Sequence, residues 1–220
     1  MPRLISFDVF GTLIDSRGGA LAAFQSMLAD SGAAHVATEA FWEHWEARNI
    51  AHYWEPYRRY RDICTLSLSE TFAAFGIDAP ASMIARYFEA FAHFALFSDV
   101  ADALEKLARR YRLAIVSNID DDLLAATPLA RSFDLVCTAE RARGYKPDGT
   151  LFRHLIAHAG CERDEILHCG QSQFTDLVGG KPLGLAVLWI NRRGLKRHPS
   201  VPAPDQELRD VASALDVVAD

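Results

Sequence analysis

At 220 residues the chain has room for one α/β core with a modest insertion, and is short for two independent domains of usual size. Half of the residues are hydrophobic and 24% are charged, which excludes an extended disordered chain. A net charge of −6 without a Lys/Arg run argues against a nucleic-acid partner and against a membrane-surface patch, so an anionic ligand must be held by local donors.

The first strand begins almost at Met1, so no signal peptide is expected, and no apolar stretch approaches membrane-spanning length. Cys64, Cys137, Cys161 and Cys169 lie far apart, with neither a C-x-x-C pair nor a closely spaced His/Cys metal set. Free thiols and a cytoplasmic location follow as expectations.

In chain order, the apolar run Leu4 to Phe7 reads as a buried strand that delivers Asp8 into a turn made by Gly11 and Thr12. Residues 16–97 lack a convincing strand and are rich in Ala and aromatics at helical spacing, so they read as an inserted helical cap. Leu21, Phe24, Met27 and Leu28 suit one helix, and Phe41, Trp42, Trp45, Ile50 and Tyr53 a second. Pro56 breaks the pattern, Leu66 to Phe75 resume it up to a helix stop at Gly76, and Met83 to Phe94 supplies a further helix. The aromatics are read as bundle core, with one or two reaching the site.

From Asp99 onward strands alternate with helices, as a parallel sheet requires. The helices expected are Val100 to Arg110, Leu123 to Leu129, Thr150 to Ala159 and a short one after Asp176. The strands are Leu113 to Val116, Phe133 to Val136, Ile166 to Cys169 and Leu185 to Ile190. A polar, proline-rich loop over 194–204 and an amphipathic helix from Glu207 to Val218 close the chain. The expectation is a doubly wound Rossmann-like core of residues 1–15 and 98–220, with the helical cap of residues 16–97 inserted after the first strand.

A carboxylate at the carboxyl end of a parallel strand stands where open α/β sheets place ligands. Asp8 is already ionised at neutral pH and can attack carbon or phosphorus without a base; the lesser reading of this stretch alone is a turn cap. Ser117-Asn118 follow a second strand at a helix N-terminus and suit a carboxylate or phosphate. Lys146, in Tyr145-Lys146-Pro147-Asp148, would pair with Asp8 and keep its pKa low, and Asp176 would place a hydrolytic water. His154 and His158 have metal-chelating spacing without a third ligand and read as helix surface; no Gly-x-Ser-x-Gly elbow is present.

These four segments, in this order over nearly the whole chain, resemble the four motifs of the haloacid dehalogenase superfamily of hydrolases. The departures favour its L-2-haloacid dehalogenase branch. Phe10 stands where phosphatases of the superfamily usually carry a second, proton-donating Asp. Gln171, in Gly170-Gln171-Ser172-Gln173-Phe174-Thr175-Asp176, stands at an acidic position that would serve Mg²⁺.

The resemblance implies a cofactor-free enzyme. Asp8 displaces a halide from a small 2-halocarboxylic acid, with Lys146 and Asp176 as its catalytic partners. Substrate contacts fall to Phe10, Gly11, Thr12, Ser117, Asn118, Gln171, Ser172 and Gln173, including backbone N–H groups near Phe10 and Gly11. The branch typically has Asn at Gln173, Trp at Thr175 and Tyr at Phe152. Its halide-cradling cap arginine would fall most directly at Glu46, which leaves Arg48, and after it Arg58 or Arg59, as candidates.

Three other readings stay open: a phosphatase, the one case that calls for Mg²⁺; displacement of a non-halide group or opening of a small ring; and a binding protein that has lost catalysis. The aromatic cap suits either a homodimer, which related dehalogenases form, or buried core.

Overall fold

The computed structural model describes residues 1–129 and 131–219. Strand β1 (Leu4–Phe7) is buried along its whole length, and β2 (Ile14–Asp15) follows directly after the turn. Helices α1 (Ser16–Asp30), α2 (Thr38–His52), α3 (Tyr60–Ala74) and the short α4 (Ala85–Glu89) come next. Strand β3 (Ala95–Leu96) then returns antiparallel to β2, so the helical segment leaves and re-enters through a two-stranded ribbon.

The remainder alternates α5 (Val100–Ala108), β4 (Arg112–Ser117), α6 (Asp121–Ala125), β5 (Leu135–Thr138), α7 (Ala139–Ala142) and α8 (Thr150–His158). After these come β6 (Ile166–Gly170), α9 (Val178–Gly180), β7 (Ala186–Ile190), β8 (Gln206–Leu208) and α10 (Ala214–Val217).

The six-stranded sheet has the order β5-β4-β1-β6-β7-β8, and all its pairs are parallel. With β4 on one side of β1 and β6 on the other, the carboxyl end of β1 is the switch point where such sheets open a crevice. Side-chain alternation divides the core: Ile5 and Phe7 pack with Leu104 and Leu107, while Leu4 packs with Leu151, Phe152 and Leu155 on the opposite face.

The helical segment buries its rings against one another, with Phe24–Trp45 centroids at 5.0 Å and Phe41–Phe72 at 5.5 Å. Among the described residues no helix is long and apolar enough to cross a membrane.

Several expected elements differ. Met83 to Phe94 is not one helix: α4 is flanked by 3₁₀ turns at Ala81–Ile84 and Ala90–His93. Packing of Tyr87, Phe91 and Phe94 overrides regular helix there, since Phe91 and Phe94 must also reach Phe10. Helix α6 stops before Thr127-Pro128, because the residue ahead of a proline is driven out of the helical region.

Strand β5 begins two residues late. Asp134 instead bridges to β4, its carboxylate accepting from Leu113 N at 2.8 Å. The expected terminal helix from Glu207 is replaced by β8, which covers the open edge of β7, leaving one helical turn in α10.

Candidate active site

The turn after β1 aims Asp8 outward. Gly11 adopts φ +80°, its N–H donates to Ile14 O at 2.8 Å, and a Cβ on it would meet the Gln171 side chain at 2.9 Å, so glycine answers both the conformation and the close approach. Thr12 Oγ1 donates to Asp8 Oδ2 at 2.8 Å and accepts from Gln171 N at 3.0 Å, tying the turn to the loop after β6. Lys146, 1% exposed, donates to Asp8 Oδ1 at 2.5 Å and to Asp176 Oδ1 at 2.8 Å. Its own N–H donates to Asn118 Oδ1 at 2.9 Å, which leaves the Asn118 amide N–H groups for a ligand.

Asp176 sits in a π-helical turn, Gln173–Leu177, between β6 and α9. Besides Lys146, its carboxylate accepts from His168 Nε2 at 3.0 Å and from Ser172 N at 2.9 Å, and His168 is held in turn by Ser6 at 2.9 Å across β1 and β6. Close packing fixes this corner. A Cβ on Gly170 would strike the Asp176 carboxyl at 2.3 Å, and one on Gly179 would strike Lys146 O at 1.9 Å.

Burial, with Asp176 nearby, raises the Asp8 pKa above its ordinary value although Lys146 and Thr12 pull it down. Burial opposes the Lys146 charge, yet the two carboxylates together hold the ammonium protonated beyond its usual range. Asp176 is also opposed by burial, but Lys146 and His168 outweigh it and keep the carboxylate ionised well below the usual range.

A cavity of about 570 Å³ opens between this corner and the helical segment. Its floor includes Asp8, Phe10, Gly11, Ser117, Asn118, Lys146, Gln171, Ser172 and Gln173, and α2 forms much of the facing wall. Eight of the nine expected substrate contacts thus gather around Asp8, seven of them on the cavity and Thr12 beneath it.

Four expectations are corrected. Thr12 is fully buried and positions Asp8 instead of lining the cavity. The Gly11 N–H is taken by Ile14 O and does not serve an anion. Asp176 is fully buried with both oxygens bonded to Lys146, His168 and Ser172 N, so its carboxylate does not reach the cavity; Lys146, for its part, does not hold Asp8 low, because burial dominates.

Arg48 lies outside the cavity and pairs with Glu70 at 2.6 Å, because two residues of helix turn it away from the face of Glu46. Arg58 pairs with Glu55, and Arg59 faces Asp120, Asp122 and Glu140.

The arginines on the cavity are others. Arg17 is paired with Glu39, and Arg192 is bound to Asp99 at 2.8 Å and to Thr12 O, with its guanidinium 3.9 Å from the Phe97 ring. Arg193 is exposed at the rim. Sequence reasoning missed Arg17 and Arg193, together with His168 and Asn49, whereas Arg192 falls in Trp189-Ile190-Asn191-Arg192, a segment that also resembles the dehalogenase branch. Glu46 had been marked by the resemblance, and it does line the cavity.

The donor set does not suit Mg²⁺. An ammonium separates the two carboxylates, the nearby positions hold Phe10 and neutral Gln171, and among the described residues no group of three His, Cys, Asp or Glu side chains is placed to hold a metal.

The family model for haloacid dehalogenase-like hydrolases matches residues 5–190. The chain belongs to that family. It is a hydrolase of haloacid dehalogenase type, 25% identical to the (S)-2-haloacid dehalogenase of Pseudomonas sp. (strain YL) over 97% of this chain and 93% of the relative. The N-acylneuraminate-9-phosphatase of Homo sapiens is 29% identical across 51% of this chain and 47% of its own. An L-2-haloacid dehalogenase structure from Xanthobacter autotrophicus, with chloropropionic acid covalently bound, has the same fold: TM-score 0.84 at 21% identity, covering 100% of this chain and 99% of that one.

Proposed function

We propose that this hydrolase removes the halogen from a small 2-haloalkanoic acid without a metal, through an ester on Asp8. The observation that carries the reading is the Lys146 ammonium lodged between Asp8 and Asp176, in a site with neither a second acid at Phe10 nor a carboxylate at Gln171. Such a site activates a carboxylate for attack on carbon and is poorly equipped for phosphoryl transfer, which needs a cation and a proton donor for the leaving alcohol.

In the first step an Asp8 oxygen bonds to the α-carbon from the face opposite the halogen, the carbon–halogen bond breaks, and the halogen leaves with its electron pair as halide. The free amide N–H groups of Asn118 and the Ser117 hydroxyl bind the substrate carboxylate. In the second step water adds to the Asp8 carboxyl carbon, the acyl C–O bond breaks, and a 2-hydroxy acid of inverted configuration leaves as Asp8 is restored.

Residues that line the cavity beside Asp8, among them Ser172, Gln173 and Thr175, position the water, and Asp176 keeps Lys146 in place. Residues 16–97 act as a cap over a core of residues 1–15 and 98–220, with the β2–β3 ribbon as the boundary.

The test is chloride release from L-2-chloropropionate in excess EDTA, for the wild-type chain and Asp8→Asn. The expected result is turnover that EDTA leaves unchanged and that the substitution abolishes. Turnover of a phosphate ester that appears only with Mg²⁺, with no chloride release, would overturn the reading.

A further inference from the structure

Ser6 and His168 are paired in register across β1 and β6; both are fully buried, and neither lines the cavity. Their hydrogen bonds fix the state of the ring. The Asp176 carboxylate has only lone pairs to offer, so the 3.0 Å contact at its Oδ1 places the imidazole proton on Nε2. Nδ1 then accepts from the Ser6 hydroxyl at 2.9 Å, which among the described residues makes no other hydrogen bond. A ring protonated on both nitrogens would leave the Ser6 hydroxyl proton buried without an acceptor. Phe152 packs edge-on against the imidazole, centroids 4.8 Å apart, and offers no competing polar group.

The oxygen that accepts from His168 is the one that also accepts from Lys146 at 2.8 Å, while Ser172 N occupies Oδ2. Lys146 is bonded as well to Asp8 Oδ1, and Thr12 to Asp8 Oδ2. In the resting site two carboxylates share the ammonium. Once Asp8 is esterified its charge is gone, and the ammonium is drawn toward Asp176 just when the next step needs it at Asp8. A donor already seated on Asp176 Oδ1 takes up part of the charge of that oxygen and weakens the pull.

We propose that His168 is a positioning residue for the second chemical step: by donating to Asp176 Oδ1 it keeps the Lys146 ammonium against the ester carbonyl of Asp8. The inference rests on the dehalogenation reading above. An ester formed through Oδ2 leaves Oδ1 as the carbonyl oxygen, beside Lys146. Water adds to the Asp8 carboxyl carbon and the carbonyl electron pair moves onto Oδ1, where the ammonium stabilises it. Collapse restores the carbonyl and breaks the acyl C–O bond. One water proton ends on the leaving hydroxyl, and the other is released as Asp8 returns to its carboxylate. The first step does not need this restraint, because Asp8 is then charged and holds the ammonium itself.

The experiment follows chloride and 2-hydroxy acid release from L-2-chloropropionate, in the first turnover and at steady state, for the wild-type chain, His168→Phe and His168→Gln. Phe removes the donor, and steady-state turnover is expected to fall roughly ten- to hundredfold. Chloride should still appear in a burst of about one per active site, with the dehalogenated substrate carried as an ester on the Asp8 peptide by mass spectrometry. kcat and KM then fall together and kcat/KM holds, since ester formation is unimpaired. Gln, which offers an amide N–H to Asp176, should restore turnover to within a few fold of the wild type. Adding Ser6→Ala to His168→Phe removes the hydroxyl left without a partner and should give the same burst, which separates lost donation from lost packing. A kcat/KM that falls as far as kcat in both Phe variants, turnover unchanged in them, or Gln no better than Phe overturns the inference and leaves the dehalogenation reading standing. Absence of chloride release from the wild-type chain removes the dehalogenation reading, and this inference with it.

Discussion

Lys146 carries two buried carboxylates at the floor of the cavity, and its removal sets a clear expectation. Lys146→Met leaves Asp8 and Asp176 buried without their cation, which costs about 3–5 kcal/mol of stability near neutral pH. The pH dependence of that loss identifies its origin. In the variant the folded-state pKa of Asp176 rises above its unfolded value, so the folded form takes up protons more readily and stability recovers as pH falls from neutral toward acid. Urea midpoints at two pH values check this; a loss independent of pH would assign the cost to packing alone. His168 and Ser6 support Asp176 from the opposite side, a chain of contacts that joins β1 and β6 and that no spacing in the sequence announces.

Between elements, the contact that seats the helical segment on the sheet is a cap supplied from a distance. Asp120, fully buried after β4, accepts from the first N–H groups of α3, at Tyr60 N (2.9 Å) and Arg61 N (3.1 Å). The Tyr145 ring stacks on Tyr53 at 4.5 Å, and its hydroxyl donates to Arg58 O at 2.8 Å, which adds a second seam. Asp120→Ala orphans one buried and one half-buried donor and should cost about 1–3 kcal/mol, whereas Asp120→Asn, which keeps an acceptor, should cost less. Denaturant unfolding ranks the two variants. Because α2 and α3 belong to the same helical packing, Asp120→Ala is also expected to lower turnover by loosening the wall that carries Glu46.

For the molecule as a whole, stability has a pH dependence whose sign differs between two windows. Asp176, Asp99 and Asp205 are each opposed by burial, yet ion pairs and hydrogen bonds hold them below their ordinary value of 3.8. Their contribution is complete above that value and is lost as pH falls through the folded-state pKa of each. Glu46 runs the other way. Burial raises it from 4.5 to about 7, so the folded state binds the extra proton between those values and stability declines as pH rises across them. Unfolding by urea should thus be harder near pH 5 than near pH 8, by roughly 1–3 kcal/mol from this group, and Glu46→Gln should remove that share.

The local signals of the sequence were enough for β1, the turn at Gly11 and the alternation of strands and helices after Asp99, each carried by an apolar run, a glycine or a periodicity within about ten residues, while the four segments that meet at Asp8 were legible only together, through their resemblance to the motifs of the family. Where the local signal competed with packing it misled, as for the broken helix around α4, or for the terminal segment that became edge strand β8 because the open edge of β7 offered it hydrogen bonds. Tertiary structure alone decided that Thr12 lies under Asp8, that Asp176 is sealed behind Lys146, that Arg48 belongs to Glu70, and that Glu46 faces the cavity. Side-chain type and order along the chain state which chemistry is available. Burial and partner choice, which depend on residues tens to more than a hundred positions away, decide which of those groups are ionised and which can touch a ligand.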